Sequence, residues 1–466
     1  MINTIAKKEF TSSLRDKRFL VLSLITFILL SLSLLVSYQA NQKNIKIQKM
    51  AQQKVDDQFK NQPGRHPHRV VHYGSFVFRP RSPLSFLDFG LDSFTGNSIY
   101  IEGHKQNSTN FGAAEQSTSL IRFGELTPAL VLQILFPLLI IFLTHGAFPT
   151  ERQNGTLKLL LSQGMTFRKI AWEKIKGYSK IIALILLPGL LLITPYMTES
   201  PARLMAFAIV YAIYFFVIIS VSVVISSYFS KESSSLLCLL SLWFCACILV
   251  PKMSANIGAN LYPAPTKAEM DFDIHHEVSQ KMDGHNSKDE KAQAFKDNLL
   301  KKYNVKTLAE LPINVDGLIM SEGEAQSSAV YNEHVQKLNQ IYLNQNSISS
   351  WLSLVNPYLA IRHLSMAIAG NDFSHFTNFQ DQTEAYRFQM IQYLNNLQIT
   401  KLKFGDKRGR LSQDTWSEIK PFEFKMPTLG WSLSHHLPSV ISLFLWVGAL
   451  LFIGLKNMGA REVSND

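Results

Sequence analysis

Cysteine is scarce in this chain, so disulfides contribute nothing to its polar parts. Only three of the 466 residues are cysteines, Cys238, Cys245 and Cys247, and all three lie in one apolar run. The polar segments must therefore be stable through packing alone. On a helix, positions 245 and 247 point about 200° apart, so these two thiols cannot share a metal ion. We interpret the cysteines as buried apolar side chains.

Several catalytic motifs are also missing. The phosphate-binding pattern G-x-x-x-x-G-K-[ST] does not occur, which excludes a nucleotide-hydrolysing P-loop in this chain. His275, His276 and Glu277 do not have the H-E-x-x-H spacing of a zinc metalloprotease helix. Ionisable residues are missing from the centres of the apolar runs, where an intramembrane enzyme would need them. The sequence thus indicates no catalytic site of its own.

Long apolar runs are what the chain has in abundance. Its mean hydropathy is only +0.05 because long polar segments separate the runs. A membrane-spanning helix needs about 20 mostly apolar residues. Six runs come close to this length, and we number them as spans one to six: residues 19–38, 128–148, 179–197, 204–229, 234–251 and 437–455. The pattern predicts an all-α polytopic membrane protein with six transmembrane helices.

The first apolar run also has features of a signal peptide, because Lys17 and Arg18 precede it. However, it is about twice as long as a signal-peptide core, and no small-x-small cleavage site follows Tyr38. We therefore interpret residues 19–38 as an uncleaved first span.

The formal net charge of +11 indicates membrane topology and not a nucleic-acid partner. Basic residues gather before span one, between spans two and three, between spans four and five, and after span six, whereas the short loop after span three carries only Arg203. This asymmetry predicts that both termini are cytosolic. We expect a multi-pass protein of a bacterial-type inner (plasma) membrane, in contact with lipid. The basic residues concerned are Lys7, Lys8, Arg15, Lys17, Arg18, Arg152, Lys158, Arg168, Lys169, Lys174, Lys176, Lys180, Lys231, Lys456 and Arg461.

The polar segments differ in pattern. Residues 1–18 predict an amphipathic elbow helix on the cytosolic leaflet, and residues 456–466 a cytosolic tail. Residues 39–127 form a first exported segment, which continues span one as a helix and then favours turns and short strands. Residues 252–436 form a second exported segment, mostly helical and large enough to bury its own core. We expect the two exported segments to join in one domain.

Four histidines in the first exported segment raise the question of a metal site. His66, His68 and His72 lie close together in RHPHRVVH, and His104 follows later. Pro67 and the neighbouring arginines favour an exposed loop, and no carboxylate or cysteine completes a ligand set. The histidines are therefore weak candidates, and we predict neither a metal ion nor another cofactor in this chain.

A charged stretch separates spans two and three on the predicted cytosolic side. Within residues 149–178 lies TERQNGTLKLLLSQG (150–164), in which Glu151 and Arg152 precede a break at Gly155. A short helix with one apolar face suits docking into a groove of a cytosolic partner. A basic helix that rests on lipid has the same pattern. The residues alone leave both interpretations open.

The pattern E-R-x-x-G-T-L-x-x-L-L-S from Glu151 to Ser162, followed by K-x-K-G, resembles the cytosolic coupling loop of ABC type-2 permeases. The stretch at 7–19 is similar to the elbow helix of that family, and the six-span layout with cytosolic termini is similar too. Residues 87–107 and 356–387 resemble the enlarged exported loops of permeases from gliding-motility and nitrous-oxide-reductase-maturation systems.

The resemblance implies a permease subunit of an ABC transporter without enzymatic activity of its own. Two permease chains would face each other, the second being either another copy or a related paralogue. A separate cytosolic ABC ATPase would hold ATP and Mg²⁺ and couple hydrolysis to export or mechanical work. The residues implied in coupling are Glu151, Arg152, Gly155, Thr156, Leu157, Leu160, Leu161 and Ser162. The alternative is a membrane-anchored exported domain that acts as a sensor or scaffold without transport.

Overall fold

Helices dominate the structure, a computed structural model that describes residues 2–110, 126–193, 200–282, 284, 289–406 and 408–454. The β-structure of this part of the chain is one antiparallel sheet of three short strands, in which Ser75 lies opposite Ile101 and Ser98 opposite Asn110. The predicted all-α class is confirmed, with this small sheet added. The predicted cytosolic tail lies outside the described residues.

Four helices are long and apolar enough to cross a membrane: Phe19–Lys60, Pro128–Gln153, Pro201–Ser226 and Glu232–Leu261. They overlap predicted spans one, two, four and five, and the chain is a multi-pass membrane protein. Predicted span three begins within the helix Phe167–Ile193, while residues 194–197 lie outside the described part. Predicted span six corresponds to the shorter apolar helix Leu437–Phe452. The count of six spans stays a prediction.

The membrane helices are interrupted by π-helical turns at Val131–Leu135, Cys245–Leu249 and Leu450–Gly454. The first of these turns comes just before Pro137, where the sequence favours a local departure from regular α-helix. The α-helices that form the membrane helices or adjoin them in the chain are Ile2–Arg15, Lys17–Lys60, Pro128–Leu130, Phe136–Thr144, Pro149–Gln153, Thr156–Ser162, Phe167–Ile193, Pro201–Ser226, Glu232–Phe244, Val250–Leu261, Leu429–Ser434 and Leu437–Ala449.

The helix Lys17–Lys60 continues well beyond span one, as the sequence predicts. It has 44 residues and is therefore about 66 Å long, about twice the ~30 Å thickness of a hydrocarbon core. Its far end reaches a globular unit formed by the described residues of two segments, 39–127 and 252–436, which we call the first and second inter-span segments. Residues of the two segments pack against each other, and the expectation that they form an exported domain stays a prediction.

The inter-span unit has its own apolar core. Val70 and Ile101 of the first inter-span segment pack with Phe379 and Ile391 of the second, together with Phe59 from the end of the long helix. Burying each such side chain contributes about 1.5–3 kcal/mol. The elements of the unit are helices Pro67–Tyr73, Asp92–Thr95, Lys267–Ser279, Glu290–Tyr303, Val315–Leu352, Pro357–Ala369, Phe373–Lys401 and Asp414–Ser417, a 3-10 turn at Leu308–Glu310, and strands Ser75–Phe78, Ser98–Ile101 and Thr109–Asn110.

A helical hairpin of the second inter-span segment returns to the membrane helices. The helix Val315–Leu352 is followed by a short turn and then by Pro357–Ala369, which packs against Pro201–Ser226 and Leu437–Ala449. Leu359 and Ile368 on the returning helix are fully buried. The sequence analysis assigns these residues to an exported segment and does not foresee this packing.

The outer surface of the membrane helices is apolar. Leu237 and Phe444 are 69% and 64% exposed, respectively. Surfaces of this kind are unfavourable in water and suit contact with lipid. Cys245 also lies exposed on its helix, Cys238 is partly buried, and only Cys247 is buried, so the prediction of three buried thiols was wrong for two of them.

Candidate functional site

Glu151, the first residue of the predicted coupling pattern, lies inside the chain and not on its surface. It is only 4% exposed. Its Oε1 accepts hydrogen bonds from Lys8 Nζ at 2.5 Å and from Lys174 Nζ at 3.1 Å. Its Oε2 accepts one from Thr156 Oγ1. These bonds connect the elbow helix Ile2–Arg15, the stretch at 150–164 and the helix Phe167–Ile193.

Lys174 extends this network to a second carboxylate. Its Nζ also donates to Glu9 Oε1 at 2.5 Å, and Tyr178 Oη donates to Glu9 Oε2 at 2.7 Å. Glu9 and Lys174 are both buried. Buried charges are tolerated only where ion pairs and hydrogen bonds compensate their desolvation. We call Lys8, Glu9, Glu151, Thr156, Lys174 and Tyr178 the ionic network.

The charged form of Glu151 is strongly favoured. Burial by itself raises the pKa of a carboxyl group, but the attraction of Lys174 and the hydrogen bonds from Lys8 and Thr156 outweigh it. The pKa of Glu151 falls from 4.5 to about 2. The carboxylate is therefore ionised at every physiological pH.

A glycine permits the close helix contact on which the ionic network depends. Gly177 ends the K-x-K-G pattern and lies in Phe167–Ile193, opposite the elbow helix. A Cβ atom at this position would lie 2.9 Å from the carbonyl oxygen of Ala6 and 2.9 Å from Cβ of Glu9. A larger residue would therefore separate the two helices that carry Glu9 and Lys174.

Arg152 and its neighbour Thr150 connect the stretch to another pair of helices. Arg152 Nη2 donates to the carbonyl oxygen of Ser227 at 2.9 Å. Thr150 Oγ1 donates to Glu232 Oε1 at 2.5 Å. Both acceptors lie at the junction between Pro201–Ser226 and Glu232–Phe244, so neither residue is free to contact another protein through these groups.

The exposed tip of the stretch consists of other residues. Gly155 has a φ of +70°, a left-handed conformation that favours glycine, and precedes the helix Thr156–Ser162. Leu157 is buried on the inner side of that helix, whereas Leu159 is 62% exposed. Lys158 beside it is exposed as well.

The predicted coupling residues therefore divide into three groups. Glu151, Thr156 and Leu157 face the chain, together with most of Arg152; Gly155 and Ser162 face outward; and Leu160 and Leu161 are half-buried. Leu159 falls at an x position of the sequence pattern, and the sequence analysis missed it. It also assigns no ion pair to Lys8 or Lys174. A signal was available, because Glu9 and Glu151 are acidic residues within mostly basic segments, where internal ion pairs are expected.

Arg203 connects the helical hairpin to the membrane helices. Its Nη1 donates to the carbonyl oxygen of Ile368 at 2.8 Å, and its Nη2 donates to Pro427 O at 2.6 Å and to Ser432 Oγ at 3.1 Å. The last carbonyl groups of a helix lack partners within that helix. Arg203 thus supplies donors to the end of Pro357–Ala369, a role that its position in a short loop did not reveal.

The histidines that the sequence offers as weak metal ligands do not all lie together in the structure. His68 and His72 lie on the helix Pro67–Tyr73 and come together with His104. His66 does not join them, because its Nδ1 accepts a hydrogen bond from the backbone N–H of His68 and caps the helix. The interpretation of Pro67 as part of a loop was wrong, since it occupies the first turn of a helix, where proline is favoured.

Comparison with known protein families gives a match in the second inter-span segment. A family model described as Domain of unknown function (DUF3526) matches residues 267–425. No curated protein matches the chain. The matched residues cover less than half of the chain and lie in the second inter-span segment, including the hairpin. They contain no member of the ionic network, so the match carries no information about the stretch at 150–164.

Proposed function

We propose that this chain is the membrane-spanning permease subunit of an ABC transporter, driven by a separate cytosolic ATPase and paired with a second permease chain. The ionic network is the observation that carries the proposal. A subunit driven from outside must convert force on a small docking surface into movement of its membrane helices. The network joins the stretch at 150–164 to the elbow helix Ile2–Arg15 and to the helix Phe167–Ile193 through buried charges.

The cost of breaking the ionic network supports the idea that the helices it joins move together. Removing one partner of a buried ion pair costs about 3–5 kcal/mol. A pull on Thr156–Ser162 is therefore expected to move the elbow helix and Phe167–Ile193 with it before the pairs separate. Arg152 and Thr150 extend the connection to Glu232–Phe244 through their bonds to Ser227 and Glu232.

The exposed tip of the stretch, with Lys158 and Leu159, favours contact with a protein partner over contact with lipid. A helix resting on lipid would turn its apolar stripe of Leu157, Leu160 and Leu161 toward the bilayer. Leu157 is instead buried against the chain, and Leu159 stands exposed beside Lys158. One apolar side chain beside a basic one fits an apolar pocket with an acidic edge on a cytosolic subunit.

Co-purification from native membranes in mild detergent tests the proposal. The wild-type chain should recover an ATPase that contains a P-loop. Leu159→Asp should weaken this association by about 30-fold, since a charge placed in a central apolar contact costs about 2 kcal/mol. Its insertion into the membrane should be normal, because the side chain is exposed.

The matched control is Leu14→Asp, the same substitution at a 38% exposed leucine of the elbow helix. This variant should retain the ATPase. Glu151→Arg is a poor probe, because it would place a third positive charge beside Lys8 and Lys174 and disturb the fold. If the wild type recovers no ATPase even with nucleotide and a crosslinker, the anchored sensor or scaffold becomes the better explanation. If Leu159→Asp recovers as much as the wild type, the docking surface lies elsewhere.

A further inference from the structure

Three histidines of the inter-span unit converge at its surface. His68 and His72 are four residues apart on the helix Pro67–Tyr73, so they lie on the same face. His104 approaches them from the turn that follows the strand Ser98–Ile101. One ring nitrogen from each of the three lies within 4.8 Å of the others, and Nε2 of His68 lies 2.9 Å from Nε2 of His72.

We propose that His68, His72 and His104 together bind one divalent transition-metal ion of the Zn²⁺ or Cu²⁺ type and leave a coordination position open to solvent. Imidazole nitrogen is a favoured ligand of both ions. Metal–nitrogen bonds of about 2.0–2.1 Å place the nitrogens of a tetrahedral site about 3.3 Å apart. The His68–His72 separation of 2.9 Å is close to that value, and the ring nitrogen of His104 lies within 4.8 Å of both, so small side-chain rotations suffice. The site lies wholly within the inter-span unit, and the proposal does not depend on the permease assignment.

A buried carboxylate orients the third histidine. Glu324 is fully buried, and its Oε2 lies 3.0 Å from His104 Nδ1 while also accepting the backbone N–H of His104 at 2.7 Å. Metal-binding histidines usually donate their second ring N–H to such a group. When Nδ1 donates to Glu324, the Nε2 of His104 keeps the lone pair that ligation requires.

Glu324 is itself held in place. Arg387 Nη1 donates to Glu324 Oε1 at 2.7 Å, while the rest of the same guanidinium binds Glu384 at 2.7 and 2.8 Å. Arg387 and Glu324 are both buried. The carboxylate that orients His104 therefore has a fixed position, as expected for the outer shell of a metal site.

The backbone brings the turn and the helix together. Gly103 N donates to the carbonyl oxygen of Val71 at 3.2 Å, and a Cβ atom at Gly103 would lie 2.2 Å from Val71 Cγ1. Glycine is thus needed for the turn to contact the helix between His68 and His72. His104 itself has a φ of 63°, an uncommon conformation for a residue other than glycine. Such backbone strain is concentrated at functional sites.

Metal titration of the full-length chain tests the proposal. The chain is purified in detergent or nanodiscs without a polyhistidine tag, treated with chelator, and titrated calorimetrically with Zn²⁺ alone and with Cu²⁺ alone. We expect one tightly bound ion per chain. His72→Ala should weaken the affinity at least about tenfold, and His72 is exposed, so this variant should fold normally.

The matched control is His276→Ala, at an exposed histidine on the helix Lys267–Ser279. It should bind the metal as the wild type does. Electron paramagnetic resonance of the Cu²⁺ complex should show coupling to imidazole nitrogens that decreases in His72→Ala. A double variant, His68→Ala with His72→Ala, should lose the one-to-one component completely. Equal affinities of the wild type and the double variant would overturn the proposal, as would a loss of binding that follows His276 instead.

Discussion

Replacing Glu151 by glutamine tests how strongly the ionic network holds the cytosolic stretch. Glutamine has the shape of a protonated glutamate, so Glu151→Gln removes the charge and little else. Lys174 then keeps only Glu9 as a counter-charge, and Lys8 loses its carboxylate partner. The perturbation is thus confined to the attraction that stabilises the ionised carboxylate.

The magnitude follows from the pKa of Glu151. A pKa that falls from 4.5 to about 2 on folding corresponds to about 3 kcal/mol in favour of the folded, ionised state. The variant should therefore open locally about a hundred-fold more often, since each 1.4 kcal/mol is about a factor of ten. The elbow helix should loosen as well, because it shares Lys8 and Glu9 with the network.

Hydrogen–deuterium exchange of peptides covering residues 149–165 and 2–15 measures this opening. Exchange in Glu151→Gln should be faster by about two orders of magnitude or more in both peptides. Glu333→Gln is the matched control, because Glu333 pairs with Lys337 on an exposed helix surface, where such a substitution should change nothing. Exchange rates that match the wild type in the network peptides would refute the reasoning.

The same pair of proteins carries a pH signature. The folded-state pKa of Glu151 is lower than its unfolded value, so the stabilisation is complete above pH 4.5 and is lost as the pH falls toward about 2. The ratio of exchange rates between variant and wild type should therefore approach one across that window. A ratio that stays constant from pH 5 to pH 2 would show that the effect of glutamine is not electrostatic.

Two glycine positions give further predictions. Gly155→Val forces a β-branched residue into a left-handed conformation that costs about 1–2 kcal/mol, and nothing lies within 4 Å of the added Cβ, so ATPase recovery should fall while membrane insertion stays normal. Gly405→Val is the control with equal strain (φ +78°) and equal space; a matching loss there would contradict the assignment. Gly103→Val should collide with Val71 and lower the metal affinity of the histidine site at least about tenfold. Gly430→Ala, where no neighbour lies nearer than 4.0 Å, should leave the affinity unchanged. Unchanged affinity in Gly103→Val would show that the metal site does not require the close contact between the turn and the helix.

The membrane helices could be predicted because their signal is local. Apolar runs such as 19–38 and 128–148 carry enough information within about 20 residues to identify a helix of spanning length. The continuation of the first helix to Lys60 was equally readable, since neither proline nor glycine interrupts residues 17–60. The packing of the hairpin helix Pro357–Ala369 against the membrane helices could not be predicted from the sequence. Its 13 residues are too few to span a bilayer, and Arg362 interrupts the apolar pattern.

The candidate sites depend on distant residues, and this is why the sequence revealed only half of each. Glu151 was recognisable by its motif, but Lys8 is 143 positions away and has no pattern that joins it to Glu151. His68 and His72 have helical spacing that becomes informative only once Pro67 is recognised as a first-turn residue. Their third partner, His104, comes from a turn whose position depends on the packing of Gly103.

The long helix Lys17–Lys60 gives the two ends of the molecule a direct mechanical connection. It follows the elbow helix that carries Lys8 and Glu9, and Phe59 at its other end is buried in the core of the inter-span unit. Sharp bends in helices arise mainly at proline, at glycine or at π-bulges, and the described helix has none of these. A displacement of the ionic network should therefore tilt or shift the inter-span unit. A domain that needed only to be anchored in the membrane would not require a continuous helix that is held in place at both ends. Under the proposed function, the arrangement favours mechanical work delivered to the inter-span unit, with the ATPase acting at the tip around Leu159.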